Sequence, residues 1–518
     1  MRVALVHLLH FEIGKFAFLE GEKDMATKRR IISCALTGVL AASTAAAFAG
    51  CDALTGANVI WVAFAETGYG RAFLEQWCED FKEKYPNMDY EFQLEGEPTM
   101  TAEIGTRLAT DNEVPDIFFS LDTNWQEWAA RGYLAELDAI YQTKIERGNT
   151  IAAFMNEGLR DYGRVNGHYY VIPWTDGANG LIYNHTMFEQ NGWKVPETVD
   201  ELYALCNQIK ALPCNNDADK NNDIAPFAWS GKYASYWDFL VENWWAQYEG
   251  ADAFQDFFNF GAPRNEDGTF KFENDQVSAT DYGSPEVYLQ EGRVQALEIF
   301  SNLVVNEANP GFPKNSISGA VGAEYTVAQL AFINGKAAMM PNGAWLEQEM
   351  ANVMPDGFEM RMMRTPYLEG AQKDPATGEY IPINASSAGD FFCVPKNAPN
   401  IEAAMEFMKY INSREACETF TRMTGGLRPF QYVDELDLDA MNLSNFSKSC
   451  IELYRTSKTV YHYSSNPIQW VSIFGKWPDL GNPYVGMISG EYTAAEACSK
   501  CATYVYNGWW DSYKLVTE

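Results

Sequence analysis

The chain has 518 residues, and 70 acidic side chains against 38 lysines and arginines give it a formal net charge of −32. A chain of this length divides into two or more lobes, because a single hydrophobic core stops growing at roughly 250–300 residues. The charge argues against nucleic acids and anionic membrane surfaces as partners, because both are bound through clusters of lysine and arginine. A hydrophobic fraction of 47% and a charged fraction of 21% indicate a folded, globular protein rather than a disordered one.

The first 50 residues have the pattern of a secretion signal. Basic residues at 28–30 precede an apolar, alanine-rich stretch at 31–47, which is the order found in signal peptides. The apolar stretch is too short and too rich in alanine for a stable membrane span. We therefore predict a signal peptide at residues 25–50 and an extracellular location. Residues 1–24 are interpreted as an extension from a mis-called start codon.

Cys51 follows the small residues Ala49 and Gly50, and this order resembles a bacterial lipobox. The resemblance implies a diacylated thiol, with residues 51–58 as a tether to the outer face of the membrane. Phe48 departs from the lipobox pattern, which prefers leucine there. The alternative is an ordinary signal peptide followed by an incidental cysteine.

The other cysteines do not indicate a disulfide framework, because a core of this size does not need one. Cys498 and Cys501 form a C-x-x-C pair, but no second pair stands at zinc spacing. We interpret them as small buried residues on a helix.

Strands and helices alternate after the tether. Residues 59–64 predict a first strand, 71–85 a helix with apolar residues at helical spacing, and 90–94 a second strand. A second helix at 100–110 and a third strand at 114–119 follow. This alternation predicts an α/β lobe with a mostly parallel sheet.

Polar and aromatic residues follow two of these strands. Ligands of such sheets collect at the carboxyl ends of the strands. Glu66 follows the first strand, and Asp122 and Trp125 follow the third. We therefore expect these three side chains on one rim.

The segment 168–184 organises the rest of the chain. An apolar and aromatic run at 169–174 predicts a strand, and the turn-rich stretch 175–180 breaks it before a second apolar strand. Pro173 removes a hydrogen-bond donor, so the first strand must lie at a sheet edge or end there. We interpret the segment as a crossing between two lobes, with Trp174 and Asp176 at their junction. The alternative is a hairpin inside one domain.

Several motifs occur in an order found in one family. They stand at 115–118, 132–137, 181–184, 196–202, 332–339, 343–345, 400–411 and 425–429. By these motifs the chain resembles the extracellular solute-binding proteins of ABC importers, closest to the sugar-binding family that includes maltose-binding protein. Each motif alone is loose, but their order and spacing extend over nearly all of residues 59–510.

The resemblance implies an α/β, two-lobe fold of the periplasmic-binding-protein type II, with a ligand cleft between lobes joined by a hinge. It implies a monomer whose partners are a carbohydrate and the permease subunits of an ABC transporter. By the same resemblance, lobe 1 comprises residues 59–172 and 385–455, and lobe 2 comprises 173–384 and 456–518.

Aromatic residues make up 14% of the chain. A sugar ring has an apolar face, on which aromatic rings stack, and a rim of hydroxyls, which carboxylates and amides bind. The segment 229–237 is the best candidate for a stacking platform. For each tryptophan the alternative is packing in the core. The candidate ligand contacts are Glu66, Asp122, Trp125, Trp174, Asp176, Tyr233, Trp237, Trp345, Asp390 and Trp470.

Residues 216–224 alternate oxygen-bearing side chains with other residues, as the first half of an EF-hand calcium loop does. Ala228 stands where that loop has a bidentate glutamate. The interpretations left open are a structural calcium ion and a solvated polar loop, and no other cofactor is expected. The calcium ligands would be Asp217, Asp219, Asn221 and Asp223.

Signatures of catalysis are weak. The histidines beyond the leader, His168, His185 and His462, do not stand at the spacing of a nucleophilic or metal site. We therefore predict a receptor that is not an enzyme. It would capture a mono- or oligosaccharide by hinge closure and deliver it to an ABC importer. The alternatives are a surface glycoside hydrolase, because so acidic a chain contains many carboxylate pairs, and an adhesive glycan-binding lipoprotein.

Overall fold

A computed structural model describes residues 58–517, apart from positions 67, 98, 121, 122, 124 and 166 and the segments 259–284, 387–389 and 462–474. The predicted N-terminal extension, signal peptide and lipid-bearing Cys51 lie outside the described residues. So do the candidate ligand residues Asp122 and Trp470.

The chain up to residue 173 contains short strands and helices. The strands are β1 (Val59–Phe64), β2 (Glu91–Gly96), β3 (Ile117–Ser120), β4 (Lys144–Glu146), β5 (Asn149–Thr150), β6 (Arg164–Val165), β7 (His168–Tyr169) and β8 (Val171–Pro173). The helices are α1 (Ala72–Lys84), α2 (Met100–Thr110), α3 (Trp125–Ala130), α4 (Asp138–Tyr141), α5 (Ile151–Phe154) and α6 (Glu157–Arg160). The predicted elements up to residue 119 are therefore confirmed within a few residues at their ends.

The middle of the chain is richer in helix. Its strands are β9 (Asn179–Asn184), β10 (Ala225–Phe227), β11 (Ala337–Gly343), β12 (Met360–Met363) and β13 (Ile383–Ser386). Its helices are α7 (His185–Asn191), α8 (Val199–Lys210), α9 (Asp238–Glu249), α10 (Ala251–Phe258), α11 (Glu291–Val304), α12 (Tyr325–Ile333) and α13 (Leu346–Met350).

The last part of the chain adds one strand to the first sheet and then pairs a second strand with β13. Its strands are β14 (Phe391–Cys393) and β15 (Lys458–Tyr461). Its helices are α14 (Ile401–Ile411), α15 (Arg414–Thr424), α16 (Asn445–Arg455), α17 (Pro483–Ser489) and α18 (Ala494–Thr517). Among the described residues, no helix combines the length and the apolar character that crossing a membrane requires.

The strands form two main sheets. The first has the order β2-β1-β3-β14-β8, with β1 parallel to β2 and β3 and with β14 antiparallel to β3 and β8. The second has the order β10-β11-β9-β12, and a separate pair joins β13 to β15 in parallel. β8 ends at Pro173 and lies at the edge of its sheet, as the missing amide donor requires.

Each sheet has its own core. In the first, α1, α14 and α15 bury Trp77, Phe407 and Phe420 completely against the sheet. In the second, α9 is buried on nearly all sides, and its Trp244 and Trp245 have no exposed area, because the helix packs between strands and α11. We call the part around the first sheet the N-lobe and the part around the second the C-lobe.

Among the elements that the structure describes, three connections lead from one lobe to the other: β8 to β9, β13 to β14, and α16 to β15. β8 and β9 belong to different sheets, so the crossing predicted for the segment 168–184 is confirmed and the hairpin alternative is wrong. Helix α16 lies between the lobes, because its Ile451 packs in the N-lobe core and its Cys450 in the C-lobe core.

The C-x-x-C pair has the predicted structural role. Cys498 and Cys501 lie on α18 as free thiols without exposed area. Burial raises the pKa of the Cys501 thiol to about 11, which keeps it protonated and unreactive at neutral pH.

Candidate ligand site at the seam between the lobes

The carboxylate of Asp176 ties the connecting segments together. One oxygen accepts hydrogen bonds from Asn156 Nδ2 at 3.0 Å, Tyr454 OH at 2.7 Å and Tyr461 OH at 2.9 Å. The other accepts from Ser386 Oγ at 2.8 Å and from the backbone N–H of Gly177 at 2.8 Å. We call Asp176, Asn156, Ser386, Tyr454 and Tyr461 the hinge knot.

The hinge knot joins all three connections between the lobes. Asp176 follows β8, Ser386 ends β13, and Tyr454 and Tyr461 stand on either side of the connection from α16 to β15. Asp176 is only 4% exposed, and burial raises the pKa of its carboxyl while the hydrogen bonds partly offset that rise. Asp176 therefore lies at the junction of the lobes, as predicted. Its oxygens are occupied by protein donors, so it holds the hinge rather than the ligand hydroxyl that was predicted for it.

The lobes also touch at a second place. Trp345 comes after β11 in the C-lobe, yet it packs against the N-lobe core, with its ring 6.5 Å from that of Tyr69 in an edge arrangement. Gly68 makes this approach feasible, because a Cβ atom there would lie 2.7 Å from Trp345 Cδ1 and 2.9 Å from Glu349 Oε1. Trp345, a predicted ligand contact, therefore lies at the seam between the lobes.

Aromatic rings continue from Trp345 along the C-lobe side of the seam. Phe239 and Tyr236 lie 5.7 Å and 6.4 Å from the Trp345 ring, both in edge arrangements. Tyr233 and Tyr325 form a perpendicular pair at 5.3 Å, and both are more than a third exposed. We call Tyr233, Tyr236, Phe239, Tyr325 and Trp345 the aromatic row. It offers ring faces and edges of a kind that the apolar side of a sugar contacts.

Carboxylates lie beside the aromatic row. Glu349 stands four residues after Trp345 and accepts a hydrogen bond from Gln329 Nε2 at 2.5 Å. Burial raises the pKa of the Glu349 carboxyl. It also raises the pKa of the Tyr236 hydroxyl, and the charge of Glu349 adds to that rise. This acidic group can accept hydrogen bonds from a neutral ligand.

Glu66 and Asp390 supply further carboxylates on the N-lobe side. Glu66 follows β1 and is exposed. Asp390 precedes β14 and is half-buried; its Oδ2 lies 3.4 Å from Thr175 Oγ1, and its backbone oxygen accepts from the Trp174 N–H at 3.1 Å. Both residues therefore stand near the ends of first-sheet strands.

Three of the predicted tryptophans are core residues instead. Trp237 is fully buried against Phe227 and Phe300 in the C-lobe, and Trp125 is fully buried in the N-lobe, with its Nε1 3.3 Å from Tyr162 OH. Trp174 is likewise fully buried, stacked on Phe73 at 5.7 Å. Aromatic residues that follow a strand can turn inward or outward, and the sequence does not distinguish the two.

The structure adds seam residues that the sequence did not single out. Tyr69, Phe239, Tyr325 and Glu349 lie there, together with Asn156 in the hinge knot. Glu349 stands one helical turn after Trp345, so the i, i+4 spacing could have indicated that the two side chains lie on the same face. The others carry no local signal, because distant segments bring them together.

The acidic loop of the C-lobe is exposed and internally bonded. Asp217 accepts from the backbone N–H of Asp219, Asp219 accepts from Asn221, and Lys220 Nζ lies 3.6 Å from Asp223. In the described part of the chain, Asp217, Asp219 and Asp223 do not converge as a cluster of potential metal ligands.

Comparison with known families decides the class of the protein. The family model described as bacterial extracellular solute-binding protein matches residues 76–437. The chain belongs to this family. The predicted resemblance to extracellular solute-binding proteins is therefore confirmed.

Relatives of this solute-binding protein include the multiple sugar-binding protein of Streptococcus mutans. It is 25% identical over 362 residues, which cover 68% of this chain and 71% of the relative. The diacetylchitobiose binding protein NgcE of Streptomyces coelicolor is 24% identical over 291 residues, which cover 56% of this chain and 52% of NgcE.

The GacH receptor of Streptomyces glaucescens, studied unliganded and in complex with acarbose and an acarbose homolog, has a similar structure. The TM-score is 0.57 at 17% identity, covering 90% of this chain and 99% of the receptor. At this identity the similarity shows the fold alone, and it confirms the predicted two-lobe fold.

Proposed function

We propose that this extracellular solute-binding protein is the carbohydrate receptor of an ABC importer, binding a mono- or oligosaccharide at the seam. The observation that carries the proposal is the aromatic row, which runs along the C-lobe side of the seam to the N-lobe contact at Tyr69. The printed names of its relatives, a multiple sugar-binding protein and a diacetylchitobiose binding protein, support a carbohydrate ligand.

The chemistry of the seam suits a neutral ligand with both apolar and hydroxyl surfaces. Trp345 and Tyr236 would contact the apolar faces of sugar rings. Glu66, Glu349 and Asp390 would accept hydrogen bonds from hydroxyls, and such charge-assisted bonds are stronger than neutral ones.

Binding would be coupled to movement about the hinge knot. Trp345 and Glu349 meet Gly68 only when the lobes are close together. A ligand that contacts the aromatic row and the N-lobe carboxylates together favours that closed arrangement, because it binds the open one with fewer contacts. The closed receptor would then deliver its ligand to the permease subunits as a monomer.

We also propose a lipid anchor and a bound calcium ion, each independent of the carbohydrate site. Diacylation at Cys51 would hold the receptor at the outer face of the membrane. Calcium at Asp217, Asp219, Asn221 and Asp223 would require the loop to exchange its internal hydrogen bonds and the Lys220 contact for metal ligation.

A two-stage experiment tests the carbohydrate site. A thermal-shift screen over mono- and oligosaccharides identifies a ligand, because a ligand that binds only the folded state raises its melting temperature. Calorimetric titration then compares wild type with Trp345→Ala. Loss of stacking and buried area should weaken binding by about 1–3 kcal/mol, roughly five- to a hundred-fold.

Two control variants separate a ligand contact from a fold defect. Tyr506→Ala removes an aromatic ring that is 71% exposed on α18 and should leave affinity unchanged. Trp237→Phe changes the C-lobe core and should lower the melting temperature without changing the affinity of the folded protein. If Trp345→Ala binds the ligand as wild type does, the aromatic row is not the site.

The enzyme alternative has its own assay. Incubation with the oligosaccharide found in the screen should give a stoichiometric complex and no turnover. Formation of shorter saccharides would instead establish a glycoside hydrolase.

A further inference from the structure

Three potential metal ligands converge on the N-lobe surface, away from the aromatic row. The ligand atoms of Glu136, Asp138 and His168 all lie within 4.8 Å of one another. His168 Nδ1 is 2.6 Å from Asp138 Oδ2 and 3.7 Å from Glu136 Oε2. The sequence did not reveal this set, because about thirty residues separate the histidine from the two acids and only the fold joins them.

We propose that Glu136, Asp138 and His168 bind a divalent transition-metal ion, with zinc as the representative case. Around an ion at about 2.0–2.2 Å from each ligand, neighbouring ligand atoms stand roughly 2.8–3.6 Å apart. The two distances from His168 Nδ1, 2.6 and 3.7 Å, bracket that interval, so shifts of a few tenths of an ångström would complete the site.

The backbone under this site is fixed. Leu137, between the two acids, is fully buried in the N-lobe core, and its N–H donates to the Tyr169 carbonyl at 2.6 Å. The Tyr169 N–H in turn donates to Asp138 Oδ1 at 2.9 Å, which leaves Oδ2 directed at His168. Such outer hydrogen bonds orient the ligands of metal sites. Asp138 begins a helix and His168 belongs to a strand, and ligands on such elements are held more accurately than those on loops.

The ligand chemistry selects the class of ion. One imidazole nitrogen and two carboxylates suit zinc and neighbouring transition metals, whereas calcium and magnesium take oxygen ligands. The side chains of Glu136, Asp138 and His168 are 57%, 41% and 48% exposed, so water can fill the remaining coordination positions. The positive charge of Arg164, on the paired strand β6, would repel the ion and weaken its binding.

A metal here would link β7 to the start of α4. This link stands just before β8, the strand that leads into the hinge knot. The expected result is a rise in the melting temperature of the N-lobe on zinc addition, because an ion that binds only the folded state stabilises it.

The test is calorimetric titration of the intact protein, without a histidine tag, with zinc chloride in a non-chelating buffer. Wild type should show one saturable site and a zinc-dependent rise in melting temperature. His168→Ala and Glu136→Gln should each lose at least tenfold in affinity, because each removes a ligand. His185→Ala is the matched control: its Nε2 lies 3.9 Å from a single carboxylate, that of Glu359, and zinc binding should be unchanged.

Two results would overturn the proposal. One is the absence of saturable zinc binding in wild type, with only weak, unsaturable association with an acidic surface. The other is equal affinity in His168→Ala and wild type, which would place any zinc site elsewhere in the chain.

Discussion

Substitution of Asp176 in the hinge knot distinguishes two roles for this residue, holding the hinge together and binding a ligand. Asp176→Asn keeps the shape of the side chain but replaces one acceptor oxygen by an amide group. Asn156, Ser386, Tyr454 and Tyr461 all direct donors at the carboxylate, so at least one buried donor must turn away or lose its partner. The substitution should therefore destabilise the folded protein.

The size of this loss in stability follows from two opposing effects. A buried donor left without a partner costs about 1–3 kcal/mol, and hydrogen bonds to a charged group contribute about 1.5–3 kcal/mol each. Relief from burying a carboxylate offsets part of this loss, since burial raises the pKa of Asp176. We expect a net loss of about 1–3 kcal/mol, seen as a fall of about 1–3 °C in melting temperature, because the unfolding entropy grows with chain length.

Circular dichroism melts without ligand measure this change. Tyr454→Phe and Tyr461→Phe should reproduce it in weaker form, about 1 kcal/mol each. Tyr506→Phe, at an exposed ring, is the control for the loss of a hydroxyl. The Asp176→Asn and Tyr454→Phe double variant should lose less than the sum of the two single variants, because the two residues share one hydrogen bond.

A different set of results would refute the hinge assignment. If Asp176 holds a ligand hydroxyl, Asp176→Asn keeps the wild-type melting temperature and loses affinity, while Tyr454→Phe and Tyr461→Phe change neither. Strict additivity in the double variant would also contradict the shared hydrogen bond between Asp176 and Tyr454.

Three further predictions concern other parts of the molecule. Burial raises the pKa of Glu349, so its stabilising contribution is complete below the unfolded-state pKa of about 4.3 and is lost as pH rises through the folded-state pKa. Glu349→Gln should therefore have a higher melting temperature than wild type at pH 7 and the same melting temperature at pH 3.5. A difference that stays constant with pH would contradict this. Cys51→Ser should release the protein into the medium or leave it unprocessed, as followed by fractionation and blotting; normal processing with membrane retention would rule out lipidation. A chelator should lower the melting temperature and calcium should restore it, with Asp219→Asn abolishing the response; the absence of any shift would leave the acidic loop a polar insertion.

Local sequence determined the elements and their order. The apolar run at β1, the helical spacing of α1 and the turn-rich break after Pro173 each depend on neighbours a few residues apart, where side-chain period and turn chemistry dominate. The end of β8 was predictable for the same reason, since a proline restricts its strand to an edge or ends it. The local pattern left open whether the chain then crosses to a second lobe or forms a hairpin, and the sheet pairing decided this.

Only the tertiary structure decided which of these residues face a ligand. Trp237 and Trp345 look alike in sequence, yet one is buried in the C-lobe core and the other reaches across to Tyr69. Asp176 looked like a ligand contact until Tyr454 and Tyr461 were seen to occupy its oxygens. These outcomes depend on contacts between segments that are far apart in the chain, such as those of Trp345 with Tyr69 and of Asp176 with Tyr454. The direction of such a side chain is set by what packs against it rather than by its neighbours in the chain.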